Sequence, residues 1–431
     1  MVKIFDKANQ LFGSSNQKLF AKENHILALD IGTEFVKALI GKVAKNGDIE
    51  IIGVGRYHQE LSDMQAGAIA DISGVVENCN RALVDAENQA GVSVRTTVIG
   101  IAGELVKGMT HTIKIRRKNS SVEIEDTEMA KIVEMAQDRA EQKVKAQLKL
   151  ELGGKEIDTR MVNSALVSIY IDGYQVNNPI GFTGSEVVVQ LYTAFAPMIH
   201  IAALERVATL LDLDLLAVAA EPFAVARSII GDDINSSISA VLMDVGGGTT
   251  DIAVINEGGV QGTKMFGIGG RAFTKSIQRE LAIKFDEAEQ IKITMATEPS
   301  GDDEQRASEA LDKTCDVWLS GVELALSEFT DVEHLPHKIL LCGGGASLEK
   351  LLLSIEQTNW YGSLPFTKKP NVAYISPGQV DGVVDSTGQV TDHTYVTAMG
   401  LLRVGVDTLQ QESAQTRGNP IKAKVDRILR T

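Results

Sequence analysis

At 431 residues, with 44% hydrophobic and 23% charged side chains, the chain has the length of about two to four packed domains and a composition ordinary for globular proteins. A formal net charge of −15 argues against broad nucleic-acid binding, which needs clustered Lys and Arg to neutralise phosphates. Cys79, Cys315 and Cys342 show no metal or CxxC spacing, a sparse count that fits a reducing cytosol, and no apolar run of about 18 residues is present to span a membrane.

In chain order, Ile4, Phe5, Ala8, Leu11 and Phe12 share one helical arc with Lys3 and Lys7 beside it. Asp6, Asn9 and Gln10 interrupt it as a secretory leader. Ala28-Leu29-Asp30-Ile31-Gly32-Thr33 is an apolar strand ending in an Asp and a Gly–hydroxyl turn, and residues 37–40 return as a second strand. A helix is predicted over 74–91, with Gly91 where a C-cap belongs. Residues 95–184 predict a strand at 96–102, another at 111–115, a helix near 126–150 and a strand at 164–171. That helix carries Ile132, Ala136, Ala140, Val144 and Leu148, an i, i+4 stripe suited to packing on a sheet. An alternating strand at 187–195, an amphipathic helix at 198–211 and a helix opened by Glu221-Pro222 follow. Leu242-Met243-Asp244-Val245 then runs into Gly246-Gly247-Gly248-Thr249-Thr250-Asp251 and a second apolar strand. The acidic stretch 298–304 reads as a solvated loop. Residues 339–342 form a strand, Gly343-Gly344-Gly345-Ala346-Ser347 a turn, and 348–357 a helix. A flexible tether is expected over 410–418, and a basic amphipathic helix over 421–430 after Asn419-Pro420.

The two Asp–Gly hairpins are copies of one device. A Gly turn lets backbone N–H groups approach phosphate oxygens with no Cβ in the way. Thr33, Thr249 and Thr250 add hydroxyls, and Asp30 and Asp244 can each hold a hydrated Mg²⁺ through its waters. Three glycines in an apolar hairpin weaken it unless a backbone must come close to something. No GxxxxGK[ST] is present, and Gly246 leads into a strand and not a helix, which argues against P-loop and dinucleotide-type sites. Lys37 lies seven residues past Asp30. Parity along the chain places it on the opposite face unless a bulge intervenes. Gly269, Gly270, Gly343, Gly344, Gly345 and Ala346 complete the set of turns, the last four at a strand–helix junction suited to an anion or a base. Glu221, at a helix start, either orients an attacking water or favours the helix terminus electrostatically. Glu289 and Lys292 are i, i+3 on one helix face. Without a ligand they would be a surface ion pair.

Together these residues resemble the actin, sugar-kinase and Hsp70 superfamily, and within it the chain is similar to the bacterial cell-division family FtsA, from about Ile26 to Leu402. Three stretches carry the narrower resemblance. They are Val98-Ile99-Gly100-Ile101-Ala102-Gly103; Tyr170-Ile171-Asp172-Gly173 with Asn178-Pro179-Ile180-Gly181-Phe182-Thr183-Gly184; and Glu287-Ala288-Glu289-Gln290-Ile291-Lys292. The resemblance implies an α/β, two-lobed actin-like ATPase fold with an inserted SHS2-like subdomain in lobe I. The expected boundaries are an extension at 1–25, lobe I at 26–94 and 185–237, and the insert at 95–184. Lobe II takes 238–272 and 335–405, its small upper part 273–334, and a linker with a terminal helix 406–431.

The resemblance also implies ATP and Mg²⁺ as cofactors. Asp30, Gly32, Thr33, Lys37 and residues 244–250 would take Mg²⁺–phosphate, and Glu289, Lys292 and 343–346 the nucleoside. Hydrolysis, with Glu221, Asp30 and Asp244 as its residues, would be slow or incidental. It implies a filament of copies of the chain, a tether for the C-terminal peptide of the tubulin-like protein FtsZ, recruitment of later division proteins, and attachment to the inner face of the cytoplasmic membrane through a terminal amphipathic helix. The chain departs from the family pattern at 421–430, which lacks Trp and Phe; the N-terminal arc is the more apolar of the two. The alternative is a type IV pilus assembly adaptor of the PilM kind. An Hsp70-like chaperone would need a substrate-binding domain, and none is expected after residue 405; a sugar kinase would need a base for its sugar in the cleft.

Overall fold

The computed structural model describes residues 24–231, 236–295 and 301–417, with side chains to 410. The two amphipathic ends, and residues 298–300 of the acidic stretch, lie outside the described residues. The first meander is β1 (His25–Ile31), β2 (Phe35–Val43) and β3 (Ile49–His58). A short pair, β4 (Met64–Gln65) and β5 (Ala68–Ile69), leads into α1 (Ile72–Ala90). Asp71 caps α1 by accepting from Ser73 N, and Gly91 ends it at φ 67°. Next come β6 (Thr96–Ile101), β7 (Lys107–Arg116), α2 (Asp126–Glu151), β8 (Thr159–Ile171), β9 (Tyr174–Gln175) and β10 (Glu186–Pro197). The predicted stripe from Ile132 to Leu148 is the buried face of α2.

The chain continues through α3 (Met198–Leu210), β11 (Asp214–Ala220), α4 (Glu221–Ile230), β12 (Ala240–Val245), β13 (Thr250–Asn256) and β14 (Gly259–Phe266). Three helices follow, α5 (Gly270–Leu281), α6 (Phe285–Thr294) and α7 (Asp302–Ser327). The last elements are β15 (Lys338–Cys342), a 3₁₀ turn at Gly344–Ser347, α8 (Glu349–Gln357), β16 (Asn371–Tyr374), β17 (Val383–Asp385) and α9 (Val396–Arg417).

Two sheets organise the molecule. The lobe I sheet runs β11-β6-β1-β2-β3-β17, and a nine-stranded sheet runs β16-β15-β12-β13-β14-β7-β10-β8-β9. In β12 the period of two sends Val241, Met243 and Val245 into the lobe II core beneath α5, α7 and α8, and Leu242 into the core between the lobes. Helices α4 and α9 fill that inter-lobe layer. They cross so closely that a Cβ on Gly400 would lie 2.3 Å from Ala224 O, an approach open only to glycine.

Four expectations change. The range 335–405 is not all lobe II: β17 pairs with β3 in parallel, and α9 packs on α4, β1 and β6. A chain-order boundary cannot show that the end of the chain recrosses to lobe I. Residues 410–417 continue α9 as helix and do not form a tether. Asp302, Asp303 and Glu304 are the first turn of α7, where the helix dipole favours acids, and not a loop. The insert spans β7–β10, residues 107–197 and not 95–184, since β6 belongs to the lobe I sheet; it leaves the chain within lobe I, yet its strands extend the lobe II sheet. The join is β14 to β7, through Gly262↔Met109 and Thr263↔Gly108.

Candidate functional site

Each hairpin ends in a cross-strand pair. Asp30 lies directly opposite Lys37, and Lys37 Nζ donates to Asp30 Oδ2 at 2.9 Å. Lys37 therefore shares the face of Asp30, contrary to the parity expectation. Parity counted along the chain does not survive a reversal, because residues directly opposite in an antiparallel pair always share a face. The second hairpin repeats the arrangement with Asp244 opposite Asp251. Its turn closes by Gly246 N donating to Thr249 O at 2.9 Å.

Glu221 opens α4 beneath both hairpins and is buried, as are Asp30, Asp244 and Asp251. Burial, then the charges of Asp30, Asp251 and Asp244, push the Glu221 carboxyl well above its usual range, with Lys37 offsetting part. Burial and the Asp244 charge do the same to Asp251. Burial also raises Asp244, against a hydroxyl donated by Thr397. Burial would lower the Lys37 ammonium, but Asp30 and Asp244 outweigh it and the net shift is upward. Asp251 Oδ2 accepts from Thr249 Oγ1 at 3.0 Å, while Asp251 Oδ1 is buried without a partner.

An excess of buried carboxyl groups with one oxygen unsatisfied is a donor set suited to a hard cation. Among the described residues no three acidic, His or Cys side chains converge into a ready ligand cage.

The glycine turns close around this floor. Gly269 caps α5, and Gly270 N donates to Gly246 O at 2.9 Å. Gly343 has φ 84°, and a Cβ on it would lie 2.0 Å from Asp244 Oδ1; only glycine lets this turn sit on the carboxylate. Lys292 Nζ reaches Glu289 Oε2 at 2.8 Å, Thr274 Oγ1 at 2.9 Å and Gly270 O at 3.3 Å. The enclosed cleft has a volume of about 620 Å³, within the range of small-molecule sites. Ile293, Met295, Leu348 and Leu353 give its far end apolar walls.

Asp30, Gly32, Thr33, Lys37 and Glu221 line the cleft from lobe I. Asp244, Gly246, Gly247, Thr249, Gly270, Glu289, Lys292, Gly343, Gly344 and Gly345 line it from lobe II. Four expected residues stand behind the wall. Thr250 donates to Ile268 O at 2.7 Å and accepts from Trp318 Nε1 at 2.8 Å, facing the lobe II core. Gly248 abuts Thr33, and Gly269 abuts Gly246 O. Ala346 is buried, with its carbonyl taken by Tyr374 Oη at 3.0 Å.

The site also contains residues that the sequence did not assign: Asp251, Thr397, Arg56, Glu34 and Arg271. Asp251 had a signal. It follows Asp244 by the same interval that separates Lys37 from Asp30. Glu34 and Arg271 directly follow the assigned Thr33 and Gly270 in the chain, whereas Arg56 and Thr397 are brought in by long-range contacts.

Residues 241–400 match the family model described as Cell division protein FtsA. A cell division protein FtsA of Pseudomonas aeruginosa is 26% identical over 410 residues, covering 90% of each chain. One of Neisseria meningitidis serogroup B is 28% identical over 63% of this chain and 61% of its own. Among solved structures, a chain of the PilM-PilN type IV pilus biogenesis complex superposes with a TM-score of 0.63 at 16% identity, over 88% of this chain and 98% of that one. That likeness carries the fold, which is the two-lobed actin-like arrangement.

Proposed function

We propose that this chain, a member of the FtsA family of cell-division proteins, binds Mg²⁺–ATP between its two hairpins and uses the bound state to set how it links FtsZ to the membrane. The observation that carries the nucleotide reading is the pair of facing Asp–Gly hairpins over a carboxyl-rich floor. Asp30 and Asp244 would hold Mg²⁺ through its waters, and the turns at Gly32–Thr33 and 246–249 would offer N–H and hydroxyl donors to phosphate oxygens. The nucleoside would lie along Glu289, Lys292 and 343–345, its base against the apolar end walls. Bound ATP supplies a transferable γ-phosphoryl group.

Glu221 is the carboxyl placed to orient a water; burial and then the charges of Asp30, Asp251 and Asp244 make it a weaker acid than an ordinary glutamate and disfavour its charged, proton-accepting form. On this reading hydrolysis would be slow or incidental, with occupancy acting mainly on the lobe arrangement.

By family membership the chain would form filaments, take the C-terminal peptide of FtsZ, recruit later division proteins and sit on the inner face of the membrane. None of its described helices is long and apolar enough to cross one, so contact would come from the terminal segments.

The deciding experiment is a pull-down with the FtsZ C-terminal peptide, with and without Mg²⁺–ATP, beside calorimetric titration of the nucleotide. Nucleotide-sensitive capture is expected. Capture in neither condition would favour a pilus-assembly adaptor of the PilM kind, which the same fold can serve.

A further inference from the structure

The two hairpins touch. A Cβ on Gly248 would lie 2.7 Å from Thr33 Oγ1, and one on Gly247 would lie 2.9 Å from Glu34 Cβ. One residue bonds to both. Arg271, second in α5, donates its backbone N–H to Gly247 O at 2.8 Å on the second hairpin. Its guanidinium crosses to lobe I. Nη2 donates to Thr33 O at 2.7 Å, Nε to Glu34 Oε2 at 2.7 Å, and Nη1 to Leu61 O at 3.4 Å. The residue is 8% exposed. Glu34 is held from behind by His58 Nε2 at 2.7 Å. Beside this fork, Gly267 N donates to Glu104 Oε1 at 2.8 Å, a second strap from lobe II to lobe I.

Local structure does not favour an arginine at this position. The first turn of a helix is its positive end, where a cation is disfavoured, and the lobe II core makes no use of the side chain. The three guanidinium acceptors all belong to lobe I. The planar fork meets them in a geometry an ammonium cannot copy. Separating the lobes breaks all three bonds together and pulls the hairpin tips apart.

We infer that Arg271 is an inter-lobe latch: a positioning residue that fixes the spacing of the two hairpins and so governs how readily the cleft opens. One arm of its test rests on the nucleotide reading above; the other does not.

The first arm measures lobe separation in the full chain without nucleotide. Spin labels are placed at Val84→Cys on α1 and Val317→Cys on α7, both exposed; Cys79, Cys315 and Cys342 are buried. The parent should give one closed distance. Arg271→Ala should add a longer population, Arg271→Lys a smaller one, and Glu34→Gln the smallest, since it leaves the Thr33 bond intact. An unchanged distribution in Arg271→Ala overturns the latch. If that variant does not fold, Glu34→Ala takes its place under the same criterion.

The second arm follows release of a fluorescent ATP analogue, expected roughly tenfold faster in Arg271→Ala, the scale of one charge-assisted bond. Equal release rates overturn the gating role. A parent that retains no analogue overturns the nucleotide reading, and the distances then judge the latch alone.

Discussion

Four carboxyl groups and one ammonium share the cleft floor, and their protons decide how the empty protein responds to pH. Glu221, Asp244 and Asp251 are all raised. The folded chain then keeps protons that the unfolded chain releases above about pH 4. Their contribution to stability is present below that point and is lost as pH rises through the raised values. Asp251→Asn removes part of this loss and keeps an oxygen for the Thr249 hydroxyl. Its advantage over the parent in urea midpoint, measured without Mg²⁺, should widen from about pH 5 to about pH 8; a flat or shrinking difference contradicts the assignment. Asp244→Asn should weaken Mg²⁺-dependent ATP binding about tenfold or more, as read by calorimetry. At this scale the hairpin glycines and aspartates were legible, because apolar strands, Gly runs and an Asp at fixed spacing are local signals. The face of Lys37 was not, since it depends on pairing across a turn. Arg271 was not either, since its partners lie 210 to 238 residues away.

Among the elements, α4 and α9 connect the cleft to the rest of the molecule. Glu221 begins α4 and Thr397 lies in the first turn of α9. Farther along, Arg227 of α4 bonds Asp407 of α9 at 2.8 Å, with Arg403 Nε 3.3 Å from the same carboxylate. Both arginines are almost fully buried. Asp407→Ala removes the carboxylate that both arginines share and should cost about 1.5–3 kcal/mol, the scale of a hydrogen bond to a charged group, measurable as a lowered urea midpoint with an unchanged slope. The turn at Gly343 is a second sensitive point. Gly343→Ala combines a positive φ with a clash on Asp244, so loss of ATP binding should accompany any loss of stability. Helices were well legible wherever a buried stripe or a cap marked them, as in α1 and α2. The return of β17 and α9 to lobe I was not, because pattern and propensity identify an element without naming the sheet edge it joins.

For the whole molecule, the membrane contact proposed above would fall to segments outside the described core. Deleting residues 1–23 and 418–431 together should reduce co-sedimentation with anionic vesicles while leaving the melting temperature unchanged; unaltered co-sedimentation would place the lipid contact elsewhere. The two-lobed plan was legible from the repeated hairpin and the intervals around it, whereas the assignment of strands to one sheet or the other was not. The β14–β7 join has a practical consequence. Excising residues 107–197 would leave β14 as a bare sheet margin, with unpaired N–H and C=O groups open to any other strand. A minimal version of this protein would then be expected to precipitate or form ribbons even with a sound cleft. A replacement for the insert must first supply a strand that covers that margin.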